Sequence, residues 1–190
     1  MRFTLILLFI MVSYIKAQDT MKHVFPLEIK PAIGATGSSF KPTISLMAVH
    51  PLNRRFSIAS HSMFSFLLFR NNPQPYIKTD YNYSITQKFG AGYSLYGKKG
   101  KSRHTVLALG GMRYIAFKET MDNPELDKVT VSTHTTVPDY GLMYEFSLGK
   151  KRFTFDTRLY LPFSPVQYYP LGTLTNLVYL EIGIGIKLYK

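Results

Sequence analysis

The chain has 190 residues, with 23 Lys+Arg against 11 Asp+Glu, a formal charge of +12, and neither Cys nor Trp. That length suits one domain, and 46% apolar with 18% charged residues excludes a disordered polar chain. The lack of Cys excludes a disulfide scaffold, a thiolate-held zinc or iron–sulfur centre and a thiol nucleophile, while 15% aromatics favour strands over helices.

Met1-Arg2 is a short positive start, and Phe3–Ile15 is an uncharged apolar run too short to span a bilayer as a helix. Lys16-Ala17-Gln18 follows, with a small residue placed for cleavage. This layout predicts a secretory signal peptide over 1–17 and a single mature domain over 18–190. Removing Arg2 and Lys16 leaves 21 basic and 11 acidic residues. No Cys follows the cleavage point, so the leader does not signal a lipoprotein.

Beyond the leader the chain reads with period two. Phe25–Ala35 sets Phe25, Leu27, Ile29 and Ile33 against Glu28 and Lys30, but Pro26 and Pro31 weaken it as a strand. A run opening near residue 42 ends at Pro51-Leu52-Asn53-Arg54, and Phe56–Phe69 alternates after that break. Tyr76–Thr86 sets Ile77, Thr79, Tyr81, Tyr83 and Ile85 against Lys78, Asp80, Asn82 and Ser84. Phe89–Gly97 and Thr105–Phe117 alternate less cleanly, and Val129–Val137 is a second weak candidate. Asp139–Gly149 and Arg152–Leu161 alternate strictly. In Thr173–Lys190 one face is nearly all aliphatic (Leu174, Val178, Leu180, Ile182, Ile184, Ile186, Leu188, with Asn176) and the other is Thr, Tyr, Glu, Gly and Lys, with Leu177. Repeated strict alternation with turn-forming breaks predicts antiparallel strands joined as a meander.

The count is eight strands without the two weak candidates and ten with them. Arg54-Arg55-Phe56, Gln87-Lys88-Phe89 and Lys151-Arg152-Phe153 look like equivalent turn exits, which favours ten. An even-length loop at Lys150-Lys151 aligns the apolar faces of 139–149 and 152–161, with Leu148 opposite Phe153 and Glu145 opposite Asp156. Arg158 is then expected to bridge the two acids.

A meander of eight to ten strands without helix closes into a barrel, which removes its edges. The content of the faces decides between a soluble barrel and a transmembrane one. The polar face carries Gly90, Gly92, Gly141, Gly149, Gly183 and Gly185 beside Tyr76, Tyr96, Tyr160 and Tyr179. It also carries a mixed-sign set of charges: Lys78, Asp80, Glu145, Asp156, Arg158, Glu181 and Lys187. Glycines beside tyrosines and paired charges suit a crowded lumen, and the aliphatic and ring-bearing face suits lipid. The prediction is an all-β, antiparallel up-and-down transmembrane β-barrel of 8–10 strands, with those seven charges as a structural lumen network.

The leader ending Ile15-Lys16-Ala17-Gln18, the Lys/Arg-Phe strand starts and the alternating end Leu180–Lys190 resemble the small outer-membrane β-barrel proteins of Gram-negative bacteria, especially uncharacterised Bacteroidota barrels. The resemblance spans nearly the whole mature chain and is one of pattern, without a diagnostic motif. It implies an outer-membrane location, contact with outer-membrane lipid or lipopolysaccharide, recognition by the barrel-assembly machinery, and a structural, porin-like or envelope-interaction role. Many such barrels end in an aromatic residue, whereas here Tyr189 is penultimate and Lys190 is last.

Motifs for chemistry are sparse. His23, His50, His61, His104 and His134 are not spaced as metal ligands, so no metal or other cofactor is expected. Gly90-Ala91-Gly92 and Gly183-Ile184-Gly185 lack the third glycine of a dinucleotide loop, and Asn82-Tyr83-Ser84 is a sequon in mid-strand. Ser60-His61-Ser62 or the Ser102–His104 region would serve a lipid-modifying hydrolase, the enzymatic alternative to a non-enzymatic barrel. A secreted lipocalin-like barrel with an apolar ligand is the soluble alternative. The basic cluster Lys98, Lys99, Lys101 and Arg103 is a candidate contact for anionic lipid phosphates. An exported chain makes nucleic acid a poor partner.

Overall fold

The computed structural model describes residues 26–36, 41–66, 76–97, 100–122, 128–149, 152–164 and 178–188, so the predicted leader lies outside the described residues. Their strands are β1 (Leu27–Thr36), β2 (Pro42–Pro51), β3 (Phe56–Phe66), β4 (Ile77–Tyr96), β5 (Ser102–Met121), β6 (Val129–Leu148), β7 (Phe153–Pro162) and β8 (Tyr179–Leu188). Each pairs antiparallel with the next, and β8 pairs with β1, which closes the barrel.

Eight, not ten, is the count, and the merger of neighbouring runs explains it. Phe25–Ala35 does supply a strand, β1, but the runs 76–86 and 89–97 are one strand, β4. Gln87-Lys88-Phe89 is therefore not a turn. Gln87 bonds outward to Ser60 and Ser62, Lys88 is buried in the lumen, and Phe89 is exposed outside. Val129–Val137 likewise continues through Pro138 into 139–148 as β6. Pro138 is tolerated because β6 pairs there only with β5; its ladder with β7 begins at Gly141.

Alternation sorts the two faces as the period-two pattern requires. Ile33, Ile44, Leu46, Ile58, Phe64, Ile85, Phe89, Val106, Leu142, Tyr144, Phe155, Leu161, Leu180, Ile182 and Ile184 all project outward. Inward lie most of the buried charges and a packed apolar group: Met47, Val49, Ala59, Met63, Leu107, Leu109, Met143, Tyr160 and Tyr179. Tyr160 and Tyr179 occupy the polar face as expected, whereas Tyr76 and Tyr96 are exposed at the ends of the barrel.

β4, β5 and β6 have 20 residues each, about twice the length of the other strands. Their surplus lies at one end, the loop end, where β3 stops at Phe66 opposite Tyr83 and β7 stops opposite Gly141. The short connections between β2 and β3, β4 and β5, and β6 and β7 lie at the other end, with the start of β1 and the end of β8.

The β6–β7 register differs from the expected one by two residues. Leu148 faces Phe155, and Glu145 faces Arg158 rather than Asp156, which faces Ser147. A two-residue slip keeps every side chain on its face, so hydrophobic parity cannot detect it. The observed register places opposite charges across the ladder instead of two carboxylates, which would repel.

The register is directly testable because the chain has no native Cys. A Phe146→Cys/Thr157→Cys pair, directly opposed on the outer face, should form a disulfide on oxidation. Phe146→Cys/Phe155→Cys, the pair that the shifted register would oppose, should stay reduced by thiol titration.

Candidate functional site

The lumen is the candidate site, and alternation brings its charges there from six strands. Lys30 on β1 is the convergence point. Its Nζ lies 2.6 Å from Glu145 Oε1, 3.3 Å from Glu28 Oε2 and 3.4 Å from Asp156 Oδ1. Carboxylates from β1, β6 and β7 thus share one ammonium, with Ser147 Oγ at 3.3 Å and the Thr154 hydroxyl donating to Asp156 at 3.1 Å.

Arg158 continues the chain of charges. Its Nε is 3.4 Å from Glu145 Oε2, one terminal nitrogen is 3.2 Å from Glu181 Oε2, and the other donates to the Lys30 carbonyl at 2.9 Å. His61 Nε2 sits 3.3 Å from the same Glu181 oxygen. Arg103 closes the turn-end mouth with a two-pronged pair to Glu28, at 2.8 and 2.5 Å.

A second cluster surrounds Asp139. Arg113 lies 2.7 Å and Lys88 3.2 Å from Asp139 Oδ2, while the Tyr160 hydroxyl donates to Oδ1 at 2.6 Å. The Lys88 ammonium stands 3.3 Å above the Tyr160 ring centroid, and Tyr160 stacks on Tyr179 at 4.7 Å. That arrangement gives the cation both a counter-ion and an aromatic face. Towards the loop end, Lys41 donates to Asn82 at 2.8 Å and Asn82 to Glu119 at 3.2 Å.

Lys30, Lys88, Arg103, Arg113 and Arg158 line the lumen with Glu28, Asp139, Glu145, Asp156 and Glu181, and each acid lies within 4 Å of a cation. Burial without pairing costs several kcal/mol per ion, so the near-neutral balance is a condition of the fold. The space between the charges is occupied. A Cβ added at Gly185 would collide with Thr154 Oγ1 and lie 2.6 Å from Asp156 Oδ2, so that position admits no side chain without displacing the network.

Of the expected network, Glu145, Asp156, Arg158 and Glu181 are buried in the lumen, and Lys187 is half-buried at its mouth. Arg158 bridges Glu145 and Glu181, while the cation joining Glu145 to Asp156 is Lys30. Lys78 and Asp80 are not in the lumen but exposed, Asp80 pairing with Lys118 at 3.1 Å. An irregularity between Thr79 and Tyr81 reverses the alternation, so Thr79 points inward below it and Asn82 and Ser84 above.

Sequence reasoning missed Lys30, Glu28, Lys88, Arg113, Asp139 and His61. The signal for Glu28 and Lys30 was present as the polar face of Phe25–Ala35; Lys88 was hidden by reading its segment as a turn. Ser60-His61-Ser62 is no nucleophile–base pair, because His61 points inward while both serines bond Gln87 on the other face. His104 is exposed outside, 2.6 Å from the Tyr144 hydroxyl.

Among the basic residues expected to touch lipid, Lys101 is exposed in its turn. Arg103 turns its guanidinium into the lumen mouth, where it pairs with Glu28. Lys98 and Lys99 lie outside the described residues.

Lys30→Met should lower unfolding stability by about 3–5 kcal/mol, because it leaves buried carboxylates without their cation. Adding Glu145→Gln should recover part of the loss in a double-mutant cycle read by urea unfolding. Lys78→Gln, on the exposed side of the irregularity, should stay within about 0.5 kcal/mol of wild type.

No protein-family model and no curated protein matches the chain. Among solved structures it is similar to the N-terminal β-barrel domain of Pseudomonas aeruginosa OprF, with TM-score 0.51 and 11% identity over 87% of this chain and 98% of that one. It is also similar to Ail, the attachment invasion locus protein of Yersinia pestis, with TM-score 0.50 and 9% identity over 88% of this chain and all of the other. At such identities the likeness is one of fold: this chain is a closed eight-stranded antiparallel barrel of the outer-membrane type.

Proposed function

We propose that the chain is exported and inserted as a small, non-enzymatic outer-membrane barrel with a structural or envelope-interaction role. The observation that carries this reading is the inversion of its faces. Paired charges fill the interior while Ile33, Ile182, Ile184, Phe155 and Leu180 form an uncovered apolar exterior. A soluble ligand-carrying barrel needs the opposite arrangement, and only lipid makes this exterior favourable. Strands of ten residues, the length of β1, β2, β7 and β8, match the span needed by a tilted transmembrane strand.

The packed lumen argues against a free diffusion pore. An eight-stranded barrel has room for side chains and little else, and here Tyr160, Tyr179, Met143 and the ion pairs take it. Purified protein in planar bilayers should therefore show no stable large conductance. Short turns on the periplasmic side and longer connections outside are the usual orientation. In that orientation the long ends of β4–β6 stand on the outer side, where the Tyr81 and Tyr114 hydroxyls both bond His134, at 3.1 and 2.9 Å. That raised sheet is the part suited to contact with other envelope components. The barrel-assembly machinery is the partner that would read β8.

Fractionation tests the location: the protein should remain in outer-membrane detergent extracts and migrate differently on gels with and without heating. Ile182→Arg or Phe155→Arg should reduce insertion into vesicles by about 2–4 kcal/mol if the position lies near the midplane. Full insertion of Ile182→Arg would mean that the outer face does not meet lipid. Gly185→Arg should fail differently, by disrupting the lumen network.

A further inference from the structure

The two ends of the barrel differ in charge. The short turns 52–55, 97–101 and 149–152 contain eight Lys/Arg and no acid. The longer connections 37–41, 67–76, 122–128 and 163–178 contain Lys41, Arg70 and Lys128 against Asp122, Glu125 and Asp127, which balance. The asymmetry is therefore confined to the turn end.

The described turn cations are also free to act outward. Arg54, Arg55, Lys101 and Arg152 are exposed, and none makes an ion pair with a described residue, whereas the lumen cations are committed to carboxylates. The Arg55 guanidinium donates to the Tyr93 hydroxyl at 3.3 Å. Directly beyond the cations the outer face begins with exposed rings and aliphatics: Phe56 after Arg55, Phe153 after Arg152, and Tyr96 and Leu188 beside them. Phe56 and Tyr93 pack edge to face at 5.3 Å. An apolar rim with a cationic row just past it matches an amphiphile with acyl chains along the barrel and an anionic phosphate at the turns.

We infer that the turn end is a docking rim for anionic glycerophospholipid, with Arg54, Arg55, Lys101 and Arg152 holding the phosphodiester headgroups. The inference rests on the barrel reading above and deepens it. In the usual orientation the turn end faces the periplasmic, phospholipid leaflet, so Lys101 serves that leaflet and not lipopolysaccharide. Attraction to an anionic surface accumulates with each cation and is screened by salt, so the rim also favours one orientation of the barrel.

The test uses the full-length protein refolded into phosphatidylcholine vesicles, with labelled phosphatidylglycerol, phosphatidylcholine or lipopolysaccharide as probe at the barrel. Wild type should hold phosphatidylglycerol several-fold more strongly than phosphatidylcholine, with the preference collapsing in high salt. The quadruple variant R54Q/R55Q/K101Q/R152Q should fold, as shown by its heat-dependent gel shift, and should lose the preference. K128Q, at the loop end, should retain it. A quadruple variant that keeps the preference, or a wild type that binds lipopolysaccharide more strongly through the same four residues, overturns the inference. A wild type that inserts yet shows no preference overturns this inference alone, whereas failure to insert into neutral bilayers removes the barrel reading as well.

Discussion

The narrow lumen of an eight-stranded barrel is filled mainly by side chains, so the charges of the Lys30 and Asp139 clusters must neutralise one another within it. Lys30 shows how completely the fold depends on that pairing. Its ammonium lies within 3.4 Å of Glu28, Glu145 and Asp156, from β1, β6 and β7, and its carbonyl accepts from Arg158. Lys30 sits on the strand that closes the ring against β8. The closing seam is thus held by its ladder and by a side chain reaching across the interior. Buried ion pairs contribute little net stability over an apolar filling, but breaking one is costly, so the network acts chiefly to select one arrangement.

That constraint organises the rest of the interior. Glycines occur where a side chain would invade the charges, as at Gly185, and where another strand runs too close, as at Gly141 against the Leu161 carbonyl. The larger apolar cluster of the lumen, with Met47, Met63, Leu107 and Met143, includes the stacked Tyr160 and Tyr179, whose hydroxyls turn to Asp139 and Lys88. Aromatic rings thus bridge the apolar and the ionic halves of the same filling, as amphipathic side chains do at other polar boundaries.

The exterior follows from the same division. Because most charged groups are drawn inward and paired, the outer surface is left mainly apolar along the length shared by all eight strands, interrupted where Ser60 and Ser62 bond Gln87. Uncommitted charge collects at the turns. The three long strands break this symmetry at the loop end, where the polar hydroxyl and imidazole groups of Tyr81, Tyr114 and His134 bond one another outside the barrel.

Local pattern alone sufficed for the all-β antiparallel meander, the sorting of β6, β7 and β8 into inner and outer faces, and the burial of Glu145, Asp156, Arg158 and Glu181. These depend only on a two-residue period, which any strand obeys. Strand number was not legible, because β4 and β6 each read as two runs, 76–86 with 89–97 and 129–137 with 139–149, when they are continuous; pairing with β5 along their full length carries them through Gln87-Lys88 and Pro138. The irregularity at Thr79–Tyr81, which ejects Lys78 and Asp80 from the lumen, was equally invisible, since it arises from how β4 meets β5. The two-residue offset between β6 and β7 was settled only by ring closure and by placing Arg158 across from Glu145. Lys30 reaches its partners 115 and 126 residues away only once the ring is shut. Period two determines which face a residue occupies; closure determines which residues meet there.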